Sequence, residues 1–202
     1  MIARRAALIA ALAAFAPVPV VAAEAAIGRL NHAGYRQKMH CSATLIGPRS
    51  VVTAAHCVVD RDVTGMHFLP GYDRGEWLEQ LAPTSARKSP APRDVALLCL
   101  PRAARTPALR FSRVPPMPGE RLTVIGYPVP RMHTQSRTVC TVEALDGAGA
   151  FALTCPMNPG ASGAPVMRPT SNGFDVVGVI SATTATRSLA YAIGDDIAGG
   201  CD

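Results

Sequence analysis

The chain has 202 residues, 49% hydrophobic and 17% charged, with a formal net charge of +6. That length suits one domain or a tight pair of half-domains, and the balance of apolar to charged residues excludes wholesale disorder. Aromatics are only 5% while Gly 17 and Pro 18 are plentiful, which favours short strands and turns over a long-helix bundle; heptads, a collagen period and solenoid repeats are absent.

Residues 1–23 read as an export signal. Arg4 and Arg5 form a positive start, Ala6 to Ala16 an apolar stretch, and Val21-Ala22-Ala23 a small-residue cleavage site. Cleavage is expected after Ala23, with Ala26 as a second site. Pro17, Pro19 and the weakly hydrophobic alanines argue against a membrane anchor, so none is expected once the signal is removed. The arginines 102, 105, 110, 113 and 121 supply much of the remaining positive charge, and only Phe111 is interleaved among them. That pattern reads as a solvated basic face and not as a nucleic-acid-binding surface.

Behind the signal, candidate strands recur between turn signals. In the first half they are 39–46, 50–53, 63–69 and 94–100. In the second half they are 121–126, 137–145, 150–155, 164–167, 174–181 and 189–193, with hairpin signals at Asp146-Gly147 and Asn172-Gly173. The proline-rich segment Ser112–Glu120 between them has no periodicity and reads as a crossing from one β-unit to the next. About ten short strands in two halves fit paired barrels or a sandwich. Six cysteines (41, 57, 99, 140, 155, 201) behind an export signal read as a disulfide framework. There is no CxxC pair, so no metal is expected.

Three stretches carry the chemistry: Thr53-Ala54-Ala55-His56-Cys57, Arg93-Asp94-Val95-Ala96-Leu97-Leu98 and Gly160-Ala161-Ser162-Gly163-Ala164-Pro165. In this order they resemble the histidine, aspartate and nucleophile motifs of the chymotrypsin-like serine proteases, and Ala26-Ile27-Gly28-Arg29-Leu30 is similar to the start of compact bacterial members near the glutamyl endopeptidases. The resemblance runs from about Ile27 to Ile197. It implies an all-β fold of two antiparallel β-barrels with the active site in the cleft between them. The expected domains are a signal peptide at 1–23 and a protease domain at 24–202, with barrels at about 27–112 and 117–198.

The roles follow from the chemistry. A serine hydroxyl is a weak nucleophile and needs an adjacent base, imidazole supplies one, and a carboxylate fixes its tautomer and stabilises the imidazolium. The resemblance therefore makes Ser162 the nucleophile, His56 the base and then acid, and Asp94 the orienter. Asp60 and Asp62 follow the histidine too closely, and His32, His40, His67 and His133 read as structural. The amides of Gly160 and Ser162 are the expected oxyanion donors. The substrate pocket is expected at Pro156, Met157, Ser181 and Thr183. The resemblance also implies disulfides Cys41–Cys57, Cys140–Cys155 and Cys99–Cys201.

Two departures stand out. Ala161 occupies the place where the family's animal digestive members carry an aspartate that pairs with a freed N-terminal ammonium, and Ala164 replaces a customary glycine. Pro156, at the pocket base, offers no carboxylate to a substrate lysine or arginine, whereas Arg187 is a candidate for attracting acidic side chains. The expected protein is thus a secreted or periplasmic serine endopeptidase, monomeric, acting on proteins or peptides, with no cofactor. The rival reading is a catalytically silent relative serving as a secreted binding protein.

Overall fold

The computed structural model describes residues 24–32, 40–129 and 131–201. The export signal expected at 1–23 and Met39, the expected start of the first strand, lie outside the described residues.

Six strands build the first sheet: β1 (Ile27–His32), β2 (His40–Gly47), β3 (Ser50–Thr53), β4 (Met66–Pro70), β5 (Ser85–Lys88) and β6 (Ala96–Cys99). Their order is β4-β1-β2-β3-β6-β5, antiparallel throughout. The ends close on each other where Phe68 and Leu81, four residues ahead of β5, exchange backbone hydrogen bonds (2.8 and 3.0 Å). Closure leaves few free edges and turns Leu30, Ala43, Leu45, Val51, Phe68 and Leu98 onto one buried interior.

The second sheet is β8 (Arg121–Gly126), β9 (Ser136–Leu145), β10 (Ala150–Leu153), β11 (Pro165–Thr170), β12 (Gly173–Thr183) and β13 (Ser188–Ala192). It closes through β11–β12 pairing, and the two-residue β7 (Arg110–Phe111) adds in parallel beside β12. The chain is thus all-β with two closed barrels. A third apolar cluster lies between them, where Ile27, Val52, Leu97, Ile125, Tyr127 and Val179 meet. No helix among the described residues is long and apolar enough to cross a membrane.

Most expected strands stand within a few residues of their sequence limits. Residues 63–69 are an exception: Val63–Gly65 forms a 3₁₀ turn, because Asp62 accepts the Thr64 amide at 2.9 Å and caps it, so the strand begins only at Met66. β1 carries no clean alternation, since Arg29 and Asn31 are fully buried on one of its faces; Arg29 lies over the Tyr72 ring at 5.0 Å. β5 is wholly exposed and therefore has no apolar face to read. The Asp146 hairpin spans four residues: its carboxylate accepts the amides of Ala148 and Ala150, and Gly149 (φ +89°) takes the left-handed position. The Ser112–Glu120 crossing is pinned by Arg168, which donates to Ser112, the carbonyls of Val114 and Pro115, and the Glu120 carboxylate. The three disulfides join Cys41–Cys57, Cys140–Cys155 and Cys99–Cys201.

Candidate active site

His56 sits in a 3₁₀ turn, Ala55–Cys57, that begins where β3 ends. The Cys57 and Val58 amides close the turn on Ala54 and Ala55 (3.1 and 3.0 Å), and the disulfide to Cys41 fastens it to β2. Asp94 lies just ahead of β6. Its neighbour Arg93 reaches Asp196 at 3.2 Å and the Ala148 carbonyl at 3.1 Å, tying this segment to the second barrel.

The two side chains meet squarely. His56 Nδ1 is 2.6 Å from Asp94 Oδ2, and the His56 amide donates to Asp94 Oδ1 at 2.8 Å. The Ser181 hydroxyl donates to Oδ2 at 2.5 Å. Burial alone raises the Asp94 pKa, but the bonds from the His56 ring, Ser181 and the His56 amide outweigh it and lower the pKa to about 2. A carboxylate so held is ionised across the physiological range and fixes which imidazole nitrogen carries a proton.

Ser162 comes from the other barrel, on the turn between β10 and β11. Ala161 donates to Asn158 (3.1 Å), Gly163 to Ile180 (2.7 Å) and Ala164 to Ala161 (2.8 Å). Both flanking glycines are left-handed, Gly160 at φ +91° and Gly163 at +78°. A Cβ on Gly163 would lie 2.2 Å from the Ser42 carbonyl oxygen, so the close packing of the turn on β2 requires glycine there. Among the described residues the amides of Gly160 and Ser162 donate to no protein group, and Ser162 Oγ makes no hydrogen bond to His56. Ser162, Gly160 and His56 share one cavity of about 290 Å³, bordered by the Cys41–Cys57 disulfide, Met66 and Arg61. Cys41, His56 and Cys57 cluster within 4.8 Å, yet both sulfurs are spent in the disulfide and offer a metal no thiolate.

None of the residues expected to form the substrate pocket lines this cavity. Pro156 and Thr183 are exposed, while Met157 and Ser181 are partly buried. Thr183 Oγ1 accepts the Met157 amide at 2.9 Å, joining the two segments, and the Ser181 hydroxyl donates to Asp94. Arg187 pairs with Glu143 at 2.8 Å. Ala161 is buried and apolar where a carboxylate would have stood. Of the histidines read as structural, His40 bonds the Tyr127 carbonyl oxygen at 2.7 Å and His133 bonds Tyr72 at 2.8 Å. Sequence reading missed Ser42, a fully buried hydroxyl behind the turn, because a serine in a strand carries no catalytic signature of its own; Thr53, read only as part of the histidine motif, is fully buried beside it.

Residues 41–179 match the family model of the trypsin-like peptidase domain. No curated protein matches the sequence. Among solved structures, a thermostable serine protease, AL20, from an extremophilic microorganism superposes with a TM-score of 0.71 at 21% identity, covering 88% of this chain and 95% of its own. A Glu endopeptidase gives 0.72 at 18% identity (87% and 88%), and an inactivated protease paralogue of the scabies mite gives 0.70 at 17% (88% and 93%). At these identities the likeness is one of fold.

Proposed function

The chain belongs to the trypsin-like peptidase family, and from that premise we propose that it is an exported serine-type endopeptidase working through a triad of Ser162, His56 and Asp94. The observation that carries this reading is that His56, held by Asp94, lines the same cavity as Ser162, beside two uncommitted amides. In the proposed reaction Ser162 Oγ attacks the scissile carbonyl carbon while His56 Nε2 takes its proton. The Gly160 and Ser162 amides donate to the resulting oxyanion. Collapse breaks the C–N bond, the leaving amine takes the proton from His56, and the acyl group stays on Ser162. Water then repeats the sequence and frees the acid.

Export and cleavage after Ala23 belong to the same proposal. Glu24 is tied down on both its backbone and its side chain, by Gln135 at 2.8 Å and Arg137 at 3.1 Å, which favours a mature chain that keeps it. Three disulfides suit a compartment outside the cytoplasm. The mature, oxidised protein is expected to be labelled by a fluorophosphonate at Ser162, read by mass spectrometry of the adduct peptide. A folded protein that stays unlabelled would instead be the silent relative.

Specificity is expected to favour small or medium uncharged residues on the acyl side. The Met157–Thr183 bond draws the slot's walls together, no acid stands at Pro156, and an unpaired substrate cation would be costly to desolvate. Arg187, paired with Glu143, leaves glutamate as the runner-up. Profiling a peptide library checks this, and dominant cleavage after lysine or arginine would place the pocket elsewhere.

A further inference from the structure

Resting on the reading of Ser162 and Gly160 above, we propose that the Ser42 hydroxyl is a positioning residue for catalysis, holding the turn that aims the oxyanion donors. Ser42 lies in β2 and is fully buried. Its Oγ donates to the Gly160 carbonyl oxygen at 2.9 Å and accepts the Tyr127 amide at 3.0 Å. Its own amide donates to the Ser162 carbonyl oxygen at 2.8 Å, and its carbonyl oxygen accepts from Thr53 Oγ1 at 2.8 Å. One residue of the first barrel therefore grips the nucleophile turn at both Gly160 and Ser162.

The grip matters because of what Gly160 is. Without a Cβ, its backbone is free to leave φ +91°, so its orientation must be imposed by neighbours. In a planar trans peptide the carbonyl and the N–H point opposite ways. The Pro159 carbonyl oxygen accepts from the Val129 amide at 2.8 Å, which turns the Gly160 N–H away from Val129. The next peptide plane, between Gly160 and Ala161, is held at both ends: its carbonyl oxygen accepts from Ser42 Oγ, and its N–H donates to the Asn158 carbonyl oxygen at 3.1 Å. Of the three bonds that set the planes on either side of Gly160, only the Ser42 bond depends on a side chain, and it alone ties the turn to the first barrel through Gly160. Any residue but proline at 42 offers the backbone bond to Ser162; an alanine loses the hydroxyl alone. That loss strands the buried Tyr127 N–H and Gly160 C=O around a gap one oxygen wide, too small for a water.

The expected signature is kinetic. Loss of a whole oxyanion donor costs about 100- to 1000-fold, so a loosened donor in Ser42→Ala is expected to lower kcat roughly 10- to 100-fold with KM within about threefold. A peptide aldehyde, whose adduct with Ser162 places an oxygen at the oxyanion position, is expected to lose affinity in parallel with kcat. A merely structural role would lower the melting temperature without that parallel. Ser42→Cys, a weaker donor in the same place, is expected to fall between wild type and alanine, and it carries the same readouts should Ser42→Ala fail to fold. A kcat within about twofold of wild type in the folded variant, or a loss confined to KM, overturns the proposal. A wild-type protein that neither hydrolyses peptides nor takes a fluorophosphonate overturns the reading of Ser162, and this proposal with it.

Discussion

Replacing Ser162 or His56 by alanine is expected to lower kcat for peptide hydrolysis on the order of 10⁶-fold. In the proposed mechanism Ser162 Oγ is the atom that forms the acyl bond, and His56 is the base placed to take its proton. Either loss removes covalent catalysis entirely, so the double variant should be barely worse than each single one. A residue of catalysis should survive in both, since the Gly160 and Ser162 backbone amides and the substrate cleft remain. Neither change should disturb folding greatly: Ser162 is only partly buried, and the His56 side chain is 48% exposed. Single-turnover kinetics on purified, oxidised protein, with circular dichroism alongside, tests this. Undiminished turnover by Ser162→Ala would sink the mechanism.

Asp94→Asn should cost about 10⁴-fold in kcat, the size typical of this change in a serine–histidine–aspartate triad. The local geometry says why. The backbone amide of His56 donates to Oδ1 and cannot do otherwise, so an asparagine must turn its carbonyl oxygen to that amide. Its NH₂ then faces His56 Nδ1 and Ser181 Oγ. The serine can rotate to accept, and His56 Nδ1 must also accept, which leaves the ring proton on Nε2 where the base should be free. KM should change little, and the triad's other groups should stay in place. Because the Asp94 pKa is held at about 2, its ionisation does not limit activity near neutrality. The lowered value also sets the sign for stability. The contribution of Asp94 is complete above the unfolded carboxylate value of ~3.9 and is lost as pH falls through about 2. Acid titration of the melting temperature, wild type against Asp94→Asn, measures it.

The two barrels and the three site motifs were legible in the sequence for separable reasons. β3 (Ser50–Thr53) and β8 (Arg121–Gly126) announce themselves as short β-branched runs, and the turn-forming Asp146 and Asn172 mark where neighbouring strands reverse. His56, Asp94 and Ser162 stood out because their immediate neighbours resemble a known pattern. β1 did not announce itself, because Arg29 and Asn31 point into the space between the barrels, where Tyr72 gives the guanidinium a partner that no local pattern encodes. β5 was silent because it has no buried face, only a place beside β6.

Sequence alone thus determined which residue types are present for the proposed acyl transfer, and where the chain turns. Tertiary structure decided everything that depends on groups distant along the chain. Asp94 and Ser181 are 87 residues apart, yet their 2.5 Å hydrogen bond helps keep the carboxylate ionised. Ser42 and Gly160 are 118 apart, and their bond ties the turn that carries Ser162 to the first barrel. Hydrogen bonds act over about 3 Å, whereas sequence patterns record only what recurs along a strand or turn. A hydroxyl buried in β2 therefore looks like any other strand serine until the second barrel closes against it.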